Sequence, residues 1–143
     1  MNSDKDIVLI LGGCGRRGQQ AAKRCIDQGC IVIVVDNTTD HDKQPENWPP
    51  ETNVNESRNF GFYSDNILNF LCTENFLSGT KYTHVFHYAR VKDADTVTEV
   101  TSNCILDAVF FKWVNLLPRP LPNIVYSTDT LLGNYMLRSN LIL

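Results

Sequence analysis

A chain of 143 residues, 43% hydrophobic and 20% charged, has the size and composition of one globular unit with a real core and little room for a second. Its net charge of -3, with no long basic run, leaves no electrostatic footprint for nucleic acid. Met1 to Asp6 are mostly polar and lead into a short apolar run before Gly12, which fits neither a signal peptide nor a membrane span, so a cytoplasmic location without a membrane partner is expected.

Ile7 to Leu11 is continuously apolar and bounded by glycine, as a central parallel strand covered on both faces would be. From Arg17 onward Ala21, Ala22, Cys25 and Ile26 recur at helical spacing, and Gly29 supplies a stop. Ile31 to Val35 is almost purely β-branched and ends at Asp36, which completes a strand-helix-strand unit. Residues 40–59 hold Pro45, Pro49 and Pro50 among polar side chains and are expected to form an irregular surface loop.

Phe60 to Tyr63 reads as a third strand and Asn66 to Leu77 as a helix with Ile67, Phe70 and Leu71 inward. A fourth strand is expected over Thr83 to Tyr88. A long helix from Asp95 to about Asn115 follows, with Val97, Val100, Thr101, Cys104, Ile105 and Ala108 as its apolar stripe. Pro118, Pro120 and Pro122 end that helix, and Ile124 to Ser127 can form a fifth strand. Strands alternating with helices predict an α/β fold, an open parallel sheet of about five strands with helices on both faces, in a single domain over residues 1–143.

Cys14, Cys25, Cys30, Cys72 and Cys104 contain no CxxC pair, and an odd number cannot close a complete disulfide framework, so reduced thiols are expected. His84 and His87 lie three apart in a strand and therefore point to opposite sheet faces, which argues against a metal site.

Chemistry concentrates at Gly12-Gly13-Cys14-Gly15-Arg16-Arg17-Gly18, between the first strand and its helix. Glycines there let the backbone fold sharply and approach a pyrophosphate, whose charge meets the amides at the helix N-terminus. Asp36 stands at the end of the second strand, where a carboxylate can accept from adenosine ribose hydroxyls. The combination predicts a Rossmann-type doubly wound sheet that binds a dinucleotide, with NAD favoured because Asp36 would repel the extra phosphate of NADP. Arg16 and Arg17 are candidates to contact phosphate.

On these residues the chain resembles the N-terminal part of the extended short-chain dehydrogenase/reductases, of the UDP-glucose 4-epimerase and dehydratase type. The resemblance implies that Gly12, Gly15 and Gly18 form the cofactor turn, that Asp36 and Asn37 hold the adenosine ribose, and that Asp65 contacts adenine. It further implies that Tyr88, Ala89 and Lys92 pass the nicotinamide side, that Asn103 is a cofactor contact in the following helix, and that Thr128, by spacing back from Gly133, is the catalytic hydroxyl.

Two positions depart from the family's pattern: Arg17 stands where an apolar residue is usual, and Arg90 where a small one is expected beside the nicotinamide. The family's YxxxK motif is expected beyond Leu143. The chain is therefore read as C-terminally truncated, without a substrate domain. Tyr88 and Lys92 match the motif's spacing, but they precede Thr128 and are not expected to be the catalytic pair.

The implied chemistry is hydride transfer during epimerisation or dehydration of a nucleotide sugar or other hydroxyl substrate. The alternative is a non-catalytic dinucleotide-binding or protein-interaction module, whose incomplete sheet edge leaves self-association open.

Overall fold

The computed structural model describes residues 5–77 and 79–126, without the side chains of residues 74–77. Its sheet contains β1 (Ile7–Leu11), β2 (Ile31–Asp36), β3 (Phe60–Ser64), β4 (His84–His87) and β5 (Asn123–Tyr126). All neighbouring strands are parallel, in the order β3-β2-β1-β4-β5. Chain order therefore reverses between β1 and β4, which opens a crevice above the carboxyl ends of those strands. Leu9, Ile10 and Leu11 are fully buried, as a strand covered on both faces requires.

Helix α1 (Arg16–Asp27) joins β1 to β2, α2 (Ile67–Leu77) joins β3 to β4, and α3 (Thr96–Asn115) joins β4 to β5. Cys30 N donates to Cys25 O at 3.0 Å and Gly29 N to Ile26 O at 3.0 Å, with Gly29 at φ 83°. This is the left-handed glycine stop expected after α1. Asp95 caps α3 by accepting from Thr98 N at 3.1 Å.

Alternation along the strands divides the core in two. One layer packs Leu9, Leu11, Val35 and Val85 against Phe70 and Leu71 of α2 and Leu106, Phe110 and Trp113 of α3. The other packs Val8, Ile10, Val32 and Val34 against Ala22 of α1 and against Trp48 and Val54.

Two expectations change. Residues 40–59 contain three 3-10 turns, His41–Lys43, Pro45–Asn47 and Pro50–Thr52, and Trp48 is only 4% exposed. The segment covers one sheet face where a helix would otherwise lie. Its prolines forbid a long helix but suit the first position of a short turn.

The inward face of α3 is also different. Val97, Val100, Thr101 and Ile105 are exposed, while Asn103, Leu106, Asp107, Phe110, Phe111, Trp113 and Val114 are buried. Large aromatic side chains in the second half of the helix outweigh the smaller apolar stripe of the first half. The two polar buried residues obscured that face in the pattern.

Candidate functional site

The turn after β1 is built by close backbone approach. Gly12 has φ 75°, and a Cβ on it would lie 2.7 Å from the Ala89 backbone. A Cβ on Gly18 would lie 2.4 Å from Gly13 Cα, so the first turn of α1 rests directly on the strand-to-helix turn. Gly15, the N-cap residue, meets nothing closer than Gly12 O at 3.7 Å and provides no side-chain cap. The first amides of α1 are thus presented without a side chain above them, where their partial positive charge is available to an anion.

Across the sheet, Asp36 is fixed by two backbone donors. Cys14 N donates to its Oδ2 at 3.0 Å and Thr38 N to its Oδ1 at 2.9 Å. Each carboxylate oxygen keeps further acceptor capacity for a ligand hydroxyl. Burial and the adjacent Asp36 carboxylate push the Cys14 thiol up to about 12, so it sits here as a neutral packing group.

These groups border one cleft of about 620 Å³ at the carboxyl ends of β1, β2 and β4. Of the residues expected at a cofactor, Gly12, Gly15, Arg16, Asp36, Asn37, Tyr88, Ala89 and Lys92 line it. Gly18 stands beneath it as the helix-packing glycine. Arg17 borders a different groove of about 300 Å³, with Gln20, Arg24, Phe86 and Tyr88.

Asp65 and Asn103 do not line the cleft. Asp65 accepts from Asn66 N and from the Asn69 side chain at the start of α2. Asn103 clamps the chain after β4, accepting from Val91 N at 2.8 Å and donating to Val91 O at 3.0 Å. Thr128 and Gly133 lie outside the described residues.

Sequence reasoning missed Thr38, Lys43 and Ser102 in the cleft wall. Lys43 arrives on a 3-10 turn of the proline-rich segment, which has no apolar period to place it. Tyr88 and Lys92 share the cleft, yet burial raises the Tyr88 phenol pKa, opposed by Arg17 and Arg24. A phenol activated for proton relay needs the opposite shift.

Beneath the far wall lies a polar cluster. Asp107, fully buried on α3, accepts from Arg90 Nη1 at 2.9 Å, from His87 Nε2 at 3.0 Å and from the Tyr126 hydroxyl at 2.8 Å. Burial holds the His87 pKa below its ordinary 6.5, against the raising effect of Asp107. The histidine is therefore neutral, its proton on Nε2, and the charge partner of Asp107 is Arg90. Arg90 also donates to Ala89 O at 2.8 Å, which folds its side chain onto the wall of the cleft. His87 packs on Phe110 with ring centroids 4.3 Å apart, whereas Phe86 joins the other core layer, the opposite-face alternation expected of this strand. Among the described residues no group of histidine, cysteine and acidic side chains could hold a metal ion.

No family model and no curated protein matches the sequence. Solved structures do match. The Bordetella bronchiseptica enzyme WbmG in complex with NAD aligns over 80% of this chain with a TM-score of 0.60 and 23% identity. The fold is theirs. UDP-glucose 4-epimerase from Thermotoga maritima, with UDP-glucose, matches 84% of the chain at a TM-score of 0.62 and 23% identity. The Bifidobacterium longum UDP-glucose 4-epimerase, in complex with NAD+ and UDP, matches 85% at 0.66 and 19% identity. The chain spans 35%, 37% and 36% of those chains respectively, so the likeness covers about a third of each. The α/β sheet expected from the sequence is thus the Rossmann-type sheet of these enzymes. No helix among the described residues is long and apolar enough to cross a membrane.

Proposed function

We propose that the cleft binds a dinucleotide, NAD in preference to NADP, and that the chain is the nucleotide-binding part of an extended short-chain dehydrogenase/reductase. The observation that carries this reading is the pairing of uncapped α1 amides with the fixed Asp36 carboxylate on the rim of one cleft. A pyrophosphate beside Gly15 and Arg16 would meet the helix N-terminus, and a ribose beside Asp36 and Asn37 would donate its hydroxyls to a carboxylate already oriented. The missing Cβ of Gly12 lets the turn after β1 pack directly on the Ala89 backbone, which sets these two walls of the cleft side by side.

Asn66, Ile67 and Leu68 border the adenine end, next to Asp65; Ala89 and Lys92 border the far nucleoside. Bound NAD supplies a hydride acceptor. The chain's own residues anchor and orient it, and Thr128 is assigned the hydroxyl that acts beside the substrate. Asn103 contributes by holding the Val91 backbone in place. A nucleotide sugar is the substrate class favoured for the whole protein, because the matching Thermotoga enzyme was crystallised with UDP-glucose and the Bifidobacterium one with UDP. Among the described residues β3 and β5 are the edge strands of the sheet, and an edge of this kind is consistent with self-association.

Isothermal titration of the 143-residue chain with ADP, and then with NADH, tests the reading. Heat of binding for both, with ADP competing against NADH, is the expected result. Absence of heat at saturating nucleotide would overturn it.

A further inference from the structure

Among the described residues, four cationic side chains border the cleft, Arg16, Lys43, Arg90 and Lys92, against the single carboxylate of Asp36. Such a lining favours a ligand carrying more than one negative charge. Among the four, Arg90 has a fixed place. Its guanidinium is held by Ala89 O and Asp107, lies 5.6 Å from the centre of the Tyr126 ring, and its side chain is only 15% exposed.

Asp107 stands behind it and is fully buried, so the ion pair turns its positive end toward the cleft. The third member, His87, is neutral and adds no charge to oppose.

The position of this charge along the cleft follows from the strand order. With pyrophosphate at the turn after β1 and the adenosine ribose at the end of β2, the second nucleoside extends the other way, over the chain leaving β4 at Ala89 and Arg90. An oxidised nicotinamide ring is a cation and a reduced one is neutral. The whole dinucleotide accordingly carries one negative charge when oxidised and two when reduced.

We infer that this cleft holds NADH more tightly than NAD+, and that Arg90 sets the preference. The inference rests on the dinucleotide reading above and adds the redox state the site selects. Asp107 acts through Arg90 as a positioning residue and touches no ligand.

Titration calorimetry with ADP-ribose, NAD+ and NADH on the unaltered chain and on Arg90→Gln and Arg90→Lys tests it. The unaltered chain is expected to bind NADH about tenfold more tightly than NAD+, the scale of one partly compensated charge in a solvent-lined cleft. Arg90→Lys should keep most of that ratio and Arg90→Gln should bring it close to one, while any change in ADP-ribose affinity, which reports Arg90's pull on the shared phosphates, should appear equally in both redox forms. ADP-ribose lacks the nicotinamide ring and so reports on the rest of the site.

Equal affinities for NADH and NAD+ in the unaltered chain, or a ratio that persists in Arg90→Gln, would overturn the inference. If ADP-ribose and ADP bind while the two redox forms do not differ, only the redox preference falls; if neither binds, the dinucleotide reading falls with it. Should Arg90→Gln fail to fold, the ratio of NADH to NAD+ affinity in the unaltered chain and in Arg90→Lys decides, and equal affinities in either overturn the inference.

Discussion

The amide of Cys14 and the carboxylate of Asp36, 22 residues apart in sequence, are joined by a 3.0 Å hydrogen bond that ties the turn after β1 to the end of β2. The same contact fixes the acceptor side of the cleft relative to the donor side at α1. Replacing Asp36 with Ala should therefore do two things. On the proposed reading it removes the ribose acceptor, weakening NADH binding by about 1–3 kcal/mol, and with it the group that would repel a 2'-phosphate. In a thermal-shift assay NADH should raise the melting temperature of the unaltered chain more than NADPH, and Asp36→Ala should narrow or reverse that order. The opposite order in the unaltered chain would contradict the role given to Asp36.

The glycines of the turn separate folding from binding. A Cβ at Gly18 meets the Gly13 backbone at 2.4 Å, and backbone cannot step aside as a side-chain tip can. Gly18→Ala should cost about 1–3 kcal/mol or more in urea denaturation. Gly15, in contrast, has extended backbone angles open to any residue and no close neighbour. Gly15→Leu should unfold at nearly the same urea concentration as the unaltered chain while losing the NADH-induced thermal shift. A normal shift in that variant would place the pyrophosphate elsewhere.

How legible was this arrangement? Strands β1 and β2, helix α1 and the place of the glycine turn between them follow from Ile7–Leu11, the Ala21/Ala22/Cys25/Ile26 stripe and Gly29, because local period and turn chemistry agree there. Asp36 was legible because it ends a β-branched run. Lys43 was not, since a chain of 3-10 turns carries no period that assigns a direction to a side chain. Nor was the Asp107 cluster, which joins a strand residue, a loop residue and a second strand residue through a helix position that composition would have sent to the surface. Long-range polar pairing leaves no mark on local periodicity.

Helix α3 allows a direct check of which face is inside. Leu106 is 4% exposed and packs in the core, so Leu106→Ala should cost about 2–5 kcal/mol. Val97, 73% exposed, belongs to the stripe that the sequence favoured; Val97→Lys should change stability by no more than about 0.5 kcal/mol. Denaturation midpoints for the two variants settle the matter, and a large loss in Val97→Lys would restore the sequence-based face.

His87 gives the fold an acid-side dependence whose sign is fixed. Burial lowers its pKa in the folded state below the ordinary 6.5, so between those two values the unfolded chain binds a proton that the folded chain does not. This contribution is complete above pH 6.5 and is lost as the pH falls from there through the folded-state pKa. Urea-derived stabilities measured from neutral to acidic pH should show that decline, and His87→Phe, which leaves Asp107 its Arg90 and Tyr126 donors, should flatten it. An unchanged slope would assign the dependence to other groups.

The bare contact between Gly13 and Gly18 also governs how this fold can be altered. With no side chain between helix and strand, there is no rotamer to repack when a larger group arrives, and no thickness to shave when a smaller one would help. Efforts to widen the cleft for a bulkier nucleotide must therefore leave this joint alone and work from the opposite bank, where Ser102 and Ile105 face the same space on a helix whose outer surface has freedom to change.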